Sequence, residues 1–188
     1  VKIIATGGTI ATTYDASKGG WVPALKGEDL VKALPDLAKI ARIEVEEMPP
    51  DISFSDSTVE HWVKVATRMN ELCADPRVSG VVITEGTDAM DEAAYFMDLT
   101  STCSKPVVAT GSLRGATHPW SDGPFNLYNA VRVALAPHAA GKGVLVAENA
   151  KVHAAREVIK MHTHALETFE SPSAGPIGVV DLDRVVFY

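Results

Sequence analysis

Three short stretches place hydroxyls and carboxylates beside glycines: Thr6-Gly7-Gly8-Thr9-Ile10, Thr84-Glu85-Gly86-Thr87-Asp88 and Gly111-Ser112-Leu113-Arg114-Gly115. A threonine hydroxyl is a poor nucleophile until a base takes its proton and a neighbouring cation settles that base's environment. Thr87 followed by Asp88, with a lysine such as Lys160 arriving from elsewhere, supplies the hydroxyl, carboxylate and amine for such chemistry. The glycine loops add backbone N–H groups that suit a developing oxyanion. Each stretch also has a plainer reading. Thr6–Thr9 can be a tight turn or a weak phosphate loop, since it lacks the full G-x-G-x-x-G spacing and a Walker lysine. Thr87-Asp88 can be a helix cap, and Gly111–Gly115 can be a connecting loop.

Something must bring these loops together, and the hydrophobic pattern says what. Short apolar, β-branched runs at Val1–Ala5, Ile43–Met48, Gly80–Thr84, Pro106–Thr110 and Gly143–Glu148 alternate with longer amphipathic stretches. Near-continuous hydrophobicity suits parallel strands covered on both faces. Helices are expected over Gly27–Leu34, Val59–Ala74, Asp88–Thr100 and Pro124–Ala136, with Asp122 capping the last. In the second, Trp62, Val65, Ala66, Met69 and Cys73 form a core-facing stripe. Lys151–Thr168 reads as an irregular or antiparallel extension, with His162-x-His164 on a surface strand. Ile177–Tyr188 reads as a hairpin turning near Asp181-Leu182-Asp183. The sum is a three-layer α/β/α domain with a mainly parallel, flavodoxin-like sheet and a C-terminal β-hairpin. In such sheets ligands bind beyond the carboxyl ends of the strands, where all three hydroxyl-bearing loops fall.

Composition narrows the function. The 188 residues are 46% hydrophobic and 22% charged, enough for a packed core, with a formal net charge of −7. An acidic chain without basic runs argues against a nucleic-acid or anionic-membrane partner, and no apolar stretch approaches the length of a membrane span. The six histidines and two cysteines show no metal-ligand spacing. Val1 already lies inside an apolar run, so a natural start or signal peptide is expected upstream.

The segments ATGGTIA (5–11), VVITEGTDAMDEAAYFMDLT (81–100), KPVVATGSLR (105–114), SDGPFNLYNAVRVA (121–134) and REVIKMHTHALETF (156–169) resemble the bacterial-type L-asparaginase and glutaminase-asparaginase family, in order and along essentially the whole chain. The resemblance implies hydrolysis of the side-chain amide of L-asparagine or L-glutamine to carboxylate and ammonia, with no cofactor and no metal. It makes Thr9 the nucleophile, Thr87 and Lys160 an inner relay with Asp88, and Asp88 the group that grips the substrate's α-amino group. Ser55, Gly86 and Ser112 fall at substrate-binding positions. It further implies a homodimer or homotetramer, and residues 1–188 as the N-terminal catalytic domain, with the family's C-terminal domain absent from this chain.

Departures mark where the implied chemistry is open. The family's activating tyrosine falls within Gly19–Val22, where Trp21 stands, and Tyr14 is the nearby hydroxyl that would substitute. Phe54-Ser55-Asp56 occupies the stretch of the family's substrate-binding Ser-Gln/Glu pair, with Ser53 a second possibility. Glu85 stands where histidine commonly precedes Gly-Thr-Asp, and Arg114-Gly115 replaces Arg-Pro. Alone, Cys73 and Cys103 read as buried free thiols. Their positions resemble the disulfide of exported asparaginases, which implies a bridge and a periplasmic or secreted protein. Other readings of the same crevice are a catalytically impaired amino-acid-binding domain and an ammonia-donating subunit of an amidotransferase.

Overall fold

The computed structural model describes residues 1–48 and 58–188. In chain order the elements are β1 (Lys2–Ala5), β2 (Thr12–Asp15), β3 (Gly20–Pro23), α1 (Gly27–Lys32), α2 (Leu37–Ile40), β4 (Glu44–Glu47), α3 (Val59–Ala74), β5 (Val81–Thr84), α4 (Met90–Thr100), β6 (Val107–Thr110), α5 (Gly123–Leu135), β7 (Val144–Glu148), β8 (Lys151–Ala154), β9 (Ile159–Lys160), β10 (Phe169–Glu170), β11 (Gly178–Val180) and β12 (Val185–Phe187).

The main sheet has eight strands in the order β12-β11-β8-β7-β6-β5-β1-β4. β7, β6, β5, β1 and β4 run parallel, and counted along the chain they follow the flavodoxin-like order 2-1-3-4-5. Every residue of β5, β6 and β7 is buried, because alternate side chains feed two cores. Ile4, Val81, Ile83, Val107, Ala109, Val144 and Val146 pack with α3 and α4. Ile3, Val82, Val108, Leu145 and Ala147 pack on the other side with Leu30, Leu37 and the apolar face of α5. β8, β11 and β12 extend the sheet antiparallel, so the expected extension after Ala150 and the terminal hairpin are both present.

Several local expectations are corrected. The helix expected from Asp88 begins at Met90, with Ala89 at its N-cap and no side-chain cap, so Thr87 and Asp88 stand in the loop before it. Asp122 does occupy the N-cap position of α5, but its carboxylate makes no capping bond. It accepts instead from the Leu113 and Arg114 N–H groups at 2.9 and 3.0 Å. His162 and His164 are exposed beyond the end of β9, outside any strand. The α3 stripe holds at Val65, Ala66 and Met69, while Trp62 and Cys73 are only partly buried. The β2–β3 hairpin and α2 have no counterpart in the periodicity reading. Each is too short for a period to register, and the hairpin lies in polar, glycine-bearing sequence.

Candidate active site

The topology leaves a switch point between β1 and β5, whose following loops diverge toward opposite sides of the sheet. The carboxyl ends of these strands carry Thr6–Thr9 and Glu85–Asp88. Gly8 joins the two loops. Its φ is +88°, and a Cβ there would lie 2.8 Å from both Glu85 O and Gly86 N, so only glycine lets the backbones meet. Gly111, at the end of β6, approaches from the other side: a Cβ would come to 2.6 Å from Glu85 O and 3.1 Å from Thr87 Cγ2.

At the centre, Lys160 Nζ donates to Thr87 Oγ1 at 3.0 Å and to Asp88 Oδ1 at 2.7 Å. Thr87 is 5% exposed, the Lys160 side chain 12%, and the Asp88 side chain is fully exposed. Hydroxyl and amine therefore sit in the wall while the carboxylate faces solvent, where a cationic group can reach it. Lys160 is held by its backbone: its N–H donates to Asp91 Oδ2 at 2.9 Å, across from the first turn of α4. β9, a two-residue strand paired only with β10, thus gains a second anchor next to the amine. Asp91 escaped notice in the sequence because an acidic residue in a helix's first turn is ordinary dipole compensation.

Beneath the loop, Glu85 is 3% exposed and its Oε2 accepts from the Thr6 hydroxyl at 3.0 Å and lies 3.6 Å from His61 Nε2. His61 is equally buried, and its Nδ1 has no partner among the described residues. Glu85 is therefore part of the support under Gly86-Thr87-Asp88.

The other expected residues are distributed as follows. Thr9 opens a short 3-10 turn and its hydroxyl has no hydrogen-bond partner among the described residues; its carbonyl accepts from the Thr12 hydroxyl at 2.8 Å. Tyr14 lies on β2, opposite Trp21 of β3 in the hairpin register. Its ring meets the Trp21 ring edge-on at 5.7 Å and it is 55% exposed. Tyr14 thus occupies the rung across from the indole that stands in the tyrosine slot. Gly86 is half-buried. Ser112 is wholly buried, and its hydroxyl donates to Arg114 O at 2.8 Å, closing its own turn. Ser53, Ser55 and Asp56 lie outside the described residues. Cys73 and Cys103 are joined by a disulfide, with Cα atoms 5.4 Å apart. Among the described residues no group of His, Cys, Asp and Glu is arranged to hold a metal ion, and no helix is long and apolar enough to cross a membrane.

A family model described as asparaginase, N-terminal, matches residues 1–188. The chain is 44% identical over 187 residues to a probable periplasmic L-asparaginase of Haemophilus influenzae, covering 98% of this chain and 53% of that protein. It is 43% identical over 187 residues to L-asparaginase 2 of Escherichia coli, covering 98% of this chain and 53% of that protein. The crystal structure of a probable cytoplasmic L-asparaginase from Campylobacter jejuni superposes with a TM-score of 0.92 at 40% identity, covering all of this chain and 57% of the other. The chain spans about half the length of the curated relatives it matches, and over all of its 188 residues it belongs to the asparaginase family.

Proposed function

We propose that the chain carries the machinery for hydrolysing the side-chain amide of L-asparagine, and of L-glutamine, to carboxylate and ammonia through a threonine nucleophile. The observation that carries the reading is the Lys160 amine bridging the buried Thr87 hydroxyl and the exposed Asp88 carboxylate. In this reading Asp88 holds the substrate's α-ammonium, which places the amide carbon between the Thr9 and Thr87 loops. Thr9 attacks that carbon. Its proton passes to a base, ammonia leaves with a proton, and water releases the acyl group from the threonine. Lys160 pairs with Asp88 and relays a proton through Thr87. Backbone N–H groups of the Gly7-Gly8, Gly86 and Gly111-Ser112 loops are the donors available to the oxyanion. In this reading Ser112 takes part through its backbone, since its hydroxyl closes its own turn. Residues 1–188 are the catalytic domain in this scheme.

One observation favours a second reading, a domain that binds the amino acid without turning it over. Trp21 stands in the tyrosine slot, and Tyr14 is turned to its indole. Incubation with L-asparagine and with L-glutamine separates the two. Stoichiometric ammonia and aspartate or glutamate from the purified chain support hydrolysis, and calorimetric binding of either amino acid with no ammonia overturns it.

Export to an oxidising compartment is proposed on the Cys73–Cys103 bridge and the likeness to the H. influenzae periplasmic protein; free thiols trapped in protein taken from its native cells overturn it. A homodimer or homotetramer is proposed on β12, an edge strand whose Val185, Val186 and Phe187 are only half-buried. Light scattering that finds only a 20 kDa species at micromolar concentration overturns that.

A further inference from the structure

β7 ends in a glutamate that the chemistry above does not use. Glu148 is 2% exposed, and no cation is paired with it among the described residues. Its Oε1 accepts from Gly111 N–H at 2.5 Å and its Oε2 from Asn126 Nδ2 at 2.5 Å. The Asn126 amide has a fixed orientation, because its Oδ1 accepts from the Asn149 N–H at 3.0 Å. Its Nδ2 therefore faces Gly111 O at 3.2 Å and Asp122 Oδ2 at 3.2 Å as well as Glu148. Asp122 in turn holds the Leu113 and Arg114 N–H groups. Three side chains, from β7, α5 and the α5 N-cap, thus take up both backbone groups of Gly111 and the Leu113 and Arg114 amides of the strap that follows β6.

That strap is the wall behind Thr87. Gly111 is packed so closely on Glu85 O, Met90 and Thr87 that no Cβ fits, so a displacement of its backbone is passed directly to Thr87. The hydrogen count also specifies a carboxyl. An amide has two N–H hydrogens for three oxygens here, and Thr110 Oγ1 has one hydrogen for Ala147 O at 2.8 Å and Glu148 Oε1 at 3.3 Å. A protonated carboxyl adds the donor this cluster of oxygens lacks, while both its oxygens still accept. A glutamine cannot do this, because either orientation sets its NH2 against Gly111 N–H or Asn126 Nδ2. Burial, reinforced by the Asp122 charge, pushes the Glu148 carboxyl well above the usual carboxylate range, against the opposing pull of the Gly111 N–H.

We propose that Glu148 is a positioning residue of the amide hydrolysis, clamping the Gly111–Arg114 strap through Asn126 and Asp122 so that Gly111 seats Thr87 against Lys160. The proposal rests on the hydrolase reading. It places the loss in the chemical step rather than in binding, because Gly111 packs on Thr87 and not on Asp88, the group that grips substrate.

The test is steady-state kinetics of Glu148→Gln and Glu148→Asp, with circular dichroism and melting curves establishing the folded fraction. Glu148→Asp keeps the carboxyl one methylene short and serves if the glutamine variant does not fold. The expected result is a fall of about 10- to 100-fold in kcat per folded molecule for Glu148→Gln, a smaller fall for Glu148→Asp, and KM within about twofold. A kcat per folded molecule equal to that of the unsubstituted chain overturns the proposal, as does a loss that falls wholly on KM. If the unsubstituted chain releases no ammonia, the hydrolase reading itself fails, and the clamp is then decided by backbone amide resonances. Displaced Gly86, Thr87 and Ser112 signals in Glu148→Gln support it, and unchanged ones overturn it.

Discussion

Under the hydrolase reading, turnover depends most directly on Thr87 and Lys160, and neither is needed to fill a core. Thr87→Ala removes a hydroxyl whose partner is the Lys160 amine, and Lys160→Met keeps the length of the stem without its charge. Each is expected to lower turnover by roughly 10²–10⁴-fold, the range of a positioned proton-transfer group, with circular dichroism unchanged. Ammonia release near that of the unsubstituted chain in either variant removes the pair from the mechanism. Asp88 is different because its carboxylate is wholly exposed. Asp88→Ala is expected mainly to raise KM, by about tenfold for the loss of one charge-assisted hydrogen bond; a fall confined to kcat contradicts that role. Residue types named these three groups from sequence because hydroxyl, carboxylate and amine carry their chemistry in their side chains. Asp91 and Asn126 did not stand out, and Asp122 did so only as a helix cap, because their part is to hold backbone amides, and the amide each holds is known only after the chain has folded.

Among the elements, the long ones were legible and the short ones were not. β5, β6 and β7 announce themselves because burial on both faces demands uninterrupted apolar sequence, and α3 and α5 because each buries one stripe. The loops that build the site obey contacts rather than periods. Gly8 is the clearest instance: its place against Glu85 and Gly86 decides how the first two loops meet. Gly8→Ala is expected to cost on the order of 1–3 kcal/mol, from an unfavourable positive φ and a backbone clash, measured as a lower urea midpoint together with reduced activity. An unchanged midpoint rules out the close approach. The Cys73–Cys103 bridge ties the end of α3 to the segment before β6, across a sequence separation of 30. In the chain-entropy model such a loop is worth about 3–4 kcal/mol. Reductant is therefore expected to lower the melting temperature by about 10 °C, and a melting curve indifferent to reductant means that the bridge does not stabilise the fold.

For the molecule as a whole, two buried groups pull stability in opposite senses as pH changes. His153 in β8 is 1% exposed, with Nδ1 2.8 Å from Ser171 Oγ and Nε2 without a partner among the described residues. Burial, with the Lys151 charge second, holds its pKa at about 4 against 6.5 when unfolded. Between those values the unfolded chain binds a proton that the fold excludes, so this group's contribution falls as pH drops from 6.5 to about 4. Glu148 does the reverse. Its folded pKa is raised, so the fold keeps a proton that the unfolded chain releases, and its contribution falls as pH rises above 4.5. Above pH 4.5 the two slopes therefore oppose one another, and the lowered Val1 ammonium and the raised Glu92 carboxyl add slopes of the same two kinds. Carboxylates lowered by cations, such as Glu46 beside Arg68, act mainly below that pH. Urea unfolding from pH 4 to 8 is therefore expected to give a shallower rise above pH 4.5 than His153 alone would produce. In Glu148→Gln the opposing slope is removed and the His153 slope emerges, so that stability rises more steeply between pH 4.5 and 6.5, this histidine contributing at most about 1.4 kcal/mol per pH unit. The lost clamp shifts that curve downward as a whole but cannot change its shape. Parallel curves for the two proteins would falsify the assignment of a protonated Glu148.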